Sequence, residues 1–174
     1  HTLFNLPFRI ITGGDIKNGN PFTTVHSDRL IVSIDTLAGE RMFTCLQDAE
    51  VTPYDLVIFD EAHKLSADRE ADLSMRRTDR YRVAETLAGI PSDVERWSLS
   101  WNCQHILLLT ATPHMGKEFP YYCLWRLLEP EALSTLDAFR AYPPDARQRH
   151  FIRRVKEELV SFEDQPLYPP RIPD

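Results

Sequence analysis

Residues 55–63 read DLVIFDEAH, and this stretch decides the fold class. The apolar run at residues 56–59 predicts a buried strand, and two adjacent carboxylates, Asp60 and Glu61, follow it directly. Parallel α/β sheets place their ligand sites at the carboxyl ends of the strands. Acids also cap helices, but an apolar strand that runs into Asp-Glu-Ala-His is more typical of a functional site.

The two carboxylates suit different chemical roles. Magnesium is a hard cation that keeps most of its waters and accepts one or two carboxylates together with phosphate oxygens, which fits Asp60. Glu61 is one residue further on and could polarise a water molecule that attacks a γ-phosphate. His63 and Lys64 follow and are expected to face the rest of the site. These residues predict magnesium-dependent hydrolysis of a nucleoside triphosphate.

A second apolar run ends in hydroxyl residues in the segment LLLTATP, residues 107–113. Thr110 and Thr112 are expected at the same edge of the sheet as the carboxylates. There they can hydrogen-bond the acidic turn and pass a change at the phosphate to a neighbouring lobe. On its own, a Thr-x-Thr-Pro sequence at the end of a strand is typical of an ordinary turn. Its pairing with the acidic motif in this order indicates a functional role.

The rest of the chain alternates between strand and helix patterns. Turn signals separate the strands, Thr78 is a plausible helix N-cap, and Gly89 with Pro91 is a stop signal. This alternation predicts a three-layer α/β fold with a mostly parallel sheet and a helical insertion at residues 64–104. The predicted strands are 8–12, 30–34, 56–59 and 105–110, the predicted helices 35–47, 119–128, 131–142 and 149–160, and the predicted extended tail 166–173.

Composition and charge narrow the class of protein. The chain has 174 residues and a formal net charge of −6, which argues against a dedicated nucleic-acid-binding domain. Two basic groups could still contact phosphate, or could be solvated helix faces. Three cysteines without C-x-x-C spacing fit free thiols, and no signal peptide or membrane span is predicted, so a cytoplasmic location is expected. The basic groups are Arg76, Arg77, Arg80 and Arg82, and Arg147, Arg149, Arg153, Arg154 and Lys156.

These motifs together resemble superfamily 2 DEAH-type helicases and translocases. DEAH at residues 60–63 and TATP at 110–113 look like motifs II and III of that superfamily, and RLIVSIDTL at 29–37 is similar to its nucleic-acid-contacting segment. Residues 151–156 and 169–171 resemble elements that close lobe one of Swi/Snf-type ATPases. Residues 124–130, LWRLLEP, look most like the RapA/HepA branch.

The resemblance implies a RecA-like, P-loop NTPase type lobe over residues 1–160 and an extended linker at 161–174 toward a second RecA-like lobe. It implies ATP and Mg²⁺ as ligands, double-stranded DNA as partner, and movement on DNA driven by ATP hydrolysis in a bacterial cytoplasm or nucleoid. The implied roles are magnesium binding through water for Asp60, catalytic base for Glu61, coupling for His63, Thr110 and Thr112, and nucleic-acid binding for Ser33, Arg153, Arg154 and Lys156.

One element of that family is missing from the sequence. A phosphate-binding loop needs G-x-x-x-x-G-K-[ST], whereas Gly116-Lys117 is followed by Glu118 and comes after the threonine motif. We therefore expect the first strand and its P-loop to precede residue 1, and this chain alone to be inactive. Two alternatives stay open: a DEAH-type RNA helicase lobe, and a catalytically dead module that serves as an interaction scaffold.

Overall fold

The computed structural model describes residues 6–72, 74–114, 116–153, 161, 163 and 165. The chain divides into two compact units, His1–Arg140 and Ala141–Asp174. The described candidate site residues other than Arg153 lie in the first unit. The predicted boundary between a lobe that ends at residue 160 and a linker that starts at 161 stays a prediction. The predicted tail at 166–173 lies outside the described residues.

Four short parallel strands form two pairs. β1 (Arg9–Ile11) pairs with β2 (Leu30–Val32), and β3 (Leu56–Phe59) pairs with β6 (His105–Leu108). All four predicted strands are present, and β3 has the predicted bounds. The fold is therefore mixed α/β with small parallel sheets, which is compatible with a RecA-like lobe. A single continuous sheet is not found among the described strands, because β2 and β3 do not share a hydrogen-bonded ladder.

The parallel strands bury only one of their faces. Phe59 and Ile11 are buried, whereas apolar side chains that alternate with the inward ones are about half exposed. The prediction of buried strands is thus wrong for this face, since no described element covers it. The exposed strand residues are Ile10, Ile31, Leu56, Ile58 and Leu107.

Two helices follow β2 where one short helix was predicted. They are α1 (Ile34–Ala38) and α2 (Glu40–Leu46), with Gly39 between them. The Ser33 hydroxyl caps α1 by accepting the Thr36 N–H at 3.1 Å. Helix α2 buries Met42, Phe43 and Leu46 against the core.

The insertion at residues 64–104 is only partly helical. β4 (Ala67–Arg69) and β5 (Met75–Arg77) form an antiparallel hairpin, so the prediction of an all-helical insertion is wrong here. The Asp72 carboxylate stabilises the turn by accepting the Ser74 N–H at 3.0 Å and the Ser74 hydroxyl at 2.6 Å.

Helix α3 (Asp79–Leu87) begins and ends at the predicted signals. The Thr78 hydroxyl accepts the Tyr81 N–H at 3.3 Å, which confirms the N-cap. Gly89 has a φ of 77°, a left-handed conformation that favours glycine after a helix. The helix buries residues on most of its circumference, including Val83 and Leu87.

Three more helices follow β6. α4 (Glu118–Leu128) agrees with the prediction, and α5 (Leu136–Ala141) is shorter than predicted because residues 131–135 form turns. In the second unit, α6 (Pro144–Gln148) begins at a proline, which is favourable in the first turn. The predicted helix at 149–160 is absent from residues 151–153, and residues 154–160 lie outside the description. In the portion of the chain that the structure describes, no helix combines the length and apolarity needed to cross a membrane.

Candidate functional site

The two carboxylates lie in a tight loop at the carboxyl end of β3. Asp60 and Glu61 are both exposed, and one Asp60 oxygen, Oδ1, accepts the Glu61 N–H at 2.9 Å. The Ala62 N–H donates to the Leu109 carbonyl at 2.9 Å, which ties this acid loop to the end of the neighbouring strand. The sequence folds this way because β3 and β6 run parallel and bring both carboxyl ends to one edge.

Glu61 holds the most unusual backbone conformation of the loop. Its φ and ψ are 52° and 45°, which is left-handed, and it is the one non-glycine residue with positive φ in the described ranges. Such a conformation costs on the order of 1–3 kcal/mol. Backbone hydrogen bonds offset this cost, including the Lys64 N–H to the Glu61 carbonyl at 2.8 Å. Strain of this kind concentrates at functional sites, so it adds to the case for the loop.

His63 joins the acid loop to the threonine segment. Its Nδ1 atom lies 3.1 Å from the Thr110 hydroxyl and 3.2 Å from a Glu61 carboxylate oxygen. A protonated Nδ1 can donate to the carboxylate, and an unprotonated Nδ1 can accept from the hydroxyl. The imidazole therefore links the exposed acid to the end of β6.

The structure brings Thr110 and Thr112 to this edge in different ways. Thr110 contacts His63 through its side chain, whereas Thr112 contacts Thr110 through its backbone N–H, at 3.1 Å from the Thr110 hydroxyl. Asp60, Glu61 and both threonines thus follow adjacent hydrogen-bonded parallel strands, as the sequence predicted. Their chemical roles stay predictions.

An open trough borders this edge. It has a volume of about 670 Å³ and is lined by residues of β2 and β3 and of the segments that follow them, with Asp60, Glu61 and Ser33 among them. Ser33 is also accounted for as the cap of α1, and its hydroxyl donates to the Thr36 hydroxyl at 2.8 Å. Asp60 and Glu61 are therefore accessible from this trough.

Asp60 is the carboxylate of the acid loop that suits magnesium. Asp60 is exposed, and only its Oδ1 is engaged in the loop, so the carboxylate fits an ion that keeps most of its waters. In the described ranges, no three His, Cys, Asp or Glu side chains cluster to hold a metal. Cys103 and Cys123 are buried, which raises the pKa of their thiols to about 11 and about 12 and keeps them protonated.

The first basic group is largely paired. Arg77 binds Glu85, Arg80 binds Asp35, and Arg82 lies 3.8 Å from Asp93. Arg76 lies 3.9 Å from Asp68 and 3.7 Å from Glu70. The acids that pair with these arginines come from separate segments of the chain, because pairing is decided by the fold. Of the second group, Arg153 follows α6, and Arg154 and Lys156 lie outside the described residues.

Comparison with known proteins adds one line of support. No protein-family model matches the chain. The chain is 33% identical over 133 residues to the RNA polymerase-associated protein RapA of Photobacterium profundum. The similarity supports a helicase-like family. It covers 73% of this chain, and the chain spans only 11% of the length of that relative.

Sequence reasoning missed a second concave surface beside the acid loop. It is lined by Lys64, by the Asp35–Arg80 ion pair and by Arg96, which come from distant parts of the chain. Lys64 adjoins the acidic motif and is expected at the site from the sequence, but no spacing pattern links it to Arg80 or Arg96. Their juxtaposition is a tertiary property.

Proposed function

We propose that this chain is part of the first RecA-like lobe of an ATP-dependent translocase that moves on double-stranded DNA. The observation that carries the proposal is the contact between the acid loop and the threonine segment across adjacent parallel strands, made by His63 and Thr110 at 3.1 Å. The similarity to RapA supports the same class at a coarse level. We also propose that this translocase acts in the cytoplasm.

In this proposal three residues at the carboxyl end of β3 have separate tasks. Asp60 would hold a magnesium ion through water, and that ion would supply positive charge to neutralise the triphosphate. Glu61 orients a water molecule and accepts its proton. His63 links the Glu61 carboxylate to Thr110, so a change in hydrogen bonding at the base reaches the end of β6.

The phosphates themselves need more than this chain supplies. Its 174 residues contain no G-x-x-x-x-G-K-[ST] sequence, so backbone amides and a lysine for the β- and γ-phosphates must come from elsewhere in the functional protein. A second lobe would complete the site. The separate chain is therefore expected to be inactive toward ATP.

The test is Glu61→Gln in the full-length protein. Removal of the base should lower the rate of ATP hydrolysis at least about a hundredfold and leave nucleotide affinity within about threefold. Steady-state phosphate release and fluorescent-nucleotide titration measure the two quantities.

The comparison variant is Asp60→Ala, which should weaken magnesium-dependent nucleotide binding itself. Normal turnover by Glu61→Gln would refute the assignment of the base. Hydrolysis of ATP by the 174-residue chain alone would refute the requirement for an external phosphate-binding loop.

A further inference from the structure

A cleft of about 490 Å³ lies beside the acid loop, between the α1–α2 turn and the start of α3. Its charged side chains come from four separate segments, and we call it the basic cleft. Three of them are cationic and two are anionic, so the basic cleft carries one net positive charge although the whole chain is acidic. These side chains are Lys64, Arg80, Arg96, Asp35 and Asp79.

Arg96 is held in place before any ligand arrives. Its Nη2 donates to the Ala38 carbonyl at 3.1 Å, and its guanidinium carbon lies 4.5 Å from the ring centroid of the buried Trp97. Stacking and a backbone hydrogen bond orient the side chain, while most of its N–H groups stay available for other acceptors. Arg96 is thus a preorganised cation.

Lys64 lies between the basic cleft and the trough that borders the acid loop, because it lines both. Its side chain is exposed, and no carboxylate of the described residues approaches its ammonium group within salt-bridge distance. Its backbone N–H binds the Glu61 carbonyl at 2.8 Å. Lys64 is therefore a cation that borders both concave surfaces.

Arg80 forms an ion pair with an acid of the basic cleft itself. Its Nε and Nη2 atoms donate to the two carboxylate oxygens of Asp35 at 2.6 and 3.0 Å, in the two-pronged geometry that guanidinium groups also use for phosphate. Both side chains are partly exposed, at 39% for Arg80 and 66% for Asp35. Because both side chains are partly exposed, water and salt screen their attraction, and another anion can replace the Asp35 carboxylate.

We infer that the basic cleft binds a phosphodiester group of a nucleic-acid backbone through Lys64, Arg80 and Arg96, and that Asp35 competes with this phosphate for Arg80. The inference rests on the proposed function, which supplies nucleic acid as the polyanion. A phosphate can bind Arg80 only if it replaces the Asp35 carboxylate.

Opposite effects of two substitutions at one ion pair test the inference. Binding of a fluorescein-labelled DNA duplex to the 174-residue chain is measured by fluorescence anisotropy. Arg80→Gln should weaken binding about fivefold or more and reduce the salt slope of log K by about 1. Asp35→Asn should tighten binding about threefold, because it frees Arg80. Arg80→Lys should fall between the wild type and Arg80→Gln.

Arg82→Gln and Asp93→Asn are matched controls. They make the same charge changes at an ion pair of 3.8 Å that also involves α3 but does not line the basic cleft. Each should change affinity by less than about twofold. Thermal unfolding of every variant checks that it is folded.

Three outcomes would overturn the inference: effects of the same sign at Asp35 and Arg80, effects no larger than the controls, or no measurable binding of the duplex. Displacement of the duplex by inorganic phosphate at matched ionic strength would also overturn it, since the basic cleft would then favour a free anion. The Glu61→Gln experiment is independent. A loss of turnover there, with basic-cleft variants equal to controls, would leave the proposed function standing and remove only this inference.

Discussion

The hydroxyls of the two threonines after β6 differ in the hydrogen bonds that they form. The Thr110 hydroxyl contacts the His63 Nδ1 and also accepts the Thr112 N–H, both at 3.1 Å. The Thr112 hydroxyl makes no hydrogen bond within the described part of the chain. Thr110 therefore connects the acid loop to the backbone that leaves the sheet, and Thr112 contributes only its backbone to that connection.

Thr110→Val should lower the free energy of unfolding of the chain by about 1 kcal/mol, because it removes a hydroxyl that serves two partners. Thr112→Val, a change of the same size and shape, should lower it by less than about 0.5 kcal/mol. Urea unfolding followed by tryptophan fluorescence measures both. Equal effects of the two substitutions would contradict the assignment of the contact to Thr110.

At the scale of elements, a buried carboxylate holds three of them together. Glu85 on α3 is 6% exposed, and Arg77 of β5 reaches it from the hairpin with its Nε 2.9 Å from Oε2. Arg126 of α4 donates to Oε1 of the same carboxylate. The Tyr81 hydroxyl adds a hydrogen bond from α3 to the Cys123 carbonyl of α4 at 2.9 Å. These contacts connect the insertion to α4, the helix that follows the threonine segment.

Glu85→Ala should lower the free energy of unfolding by about 3 kcal/mol, because it leaves two largely buried guanidinium groups without their common partner. Glu85→Gln should cost less, since its amide oxygen still accepts a hydrogen bond. Glu131→Ala, at an exposed turn, is the control and should change stability by less than about 0.5 kcal/mol. A loss below about 1 kcal/mol for Glu85→Ala would show that the network adds little.

At the scale of the whole molecule, the dominant feature of the first unit is the bare face of its parallel strands. Ile10 is 68% exposed, and Ile31 and Ile58 are each 53% exposed. Ile10 lies opposite Ile31 in the register, and Ile58 lies opposite Leu107, so each strand pair carries neighbouring exposed apolar side chains. Parallel sheets are normally covered on both faces, and contiguous apolar surface of this kind promotes association.

The 174-residue chain should therefore self-associate at concentrations of tens of micromolar. Ile58→Thr should shift the distribution toward monomer, because threonine keeps the strand preference of a β-branched residue while adding a hydroxyl to the exposed apolar face. Sedimentation velocity measures the distribution. Val25→Thr is the control, since Val25 is 93% exposed but lies outside the strands. A monomeric wild type, or equal effects of both substitutions, would contradict this prediction.

Local pattern was enough to predict the strands, the acid loop after β3 and the N-cap at Thr78. Each depends on residues that are neighbours in the chain: an apolar run that ends in polar residues, or a hydroxyl placed before a helix. The parallel pairing of β3 with β6 was also predictable, because strands joined through crossover connections leave a sheet edge with the same polarity.

Only the tertiary structure decided the hairpin at residues 67–77 and the ion pairs. The hairpin segment is highly charged and lacks alternating apolar residues, so its strands form through cross-strand pairing that no local pattern signals. Arg80 pairs with Asp35, which is 45 positions away in the sequence, and Arg126 pairs with Glu85, which is 41 positions away. Charged side chains accept many partners, and long-range packing determines which of them comes within hydrogen-bonding distance.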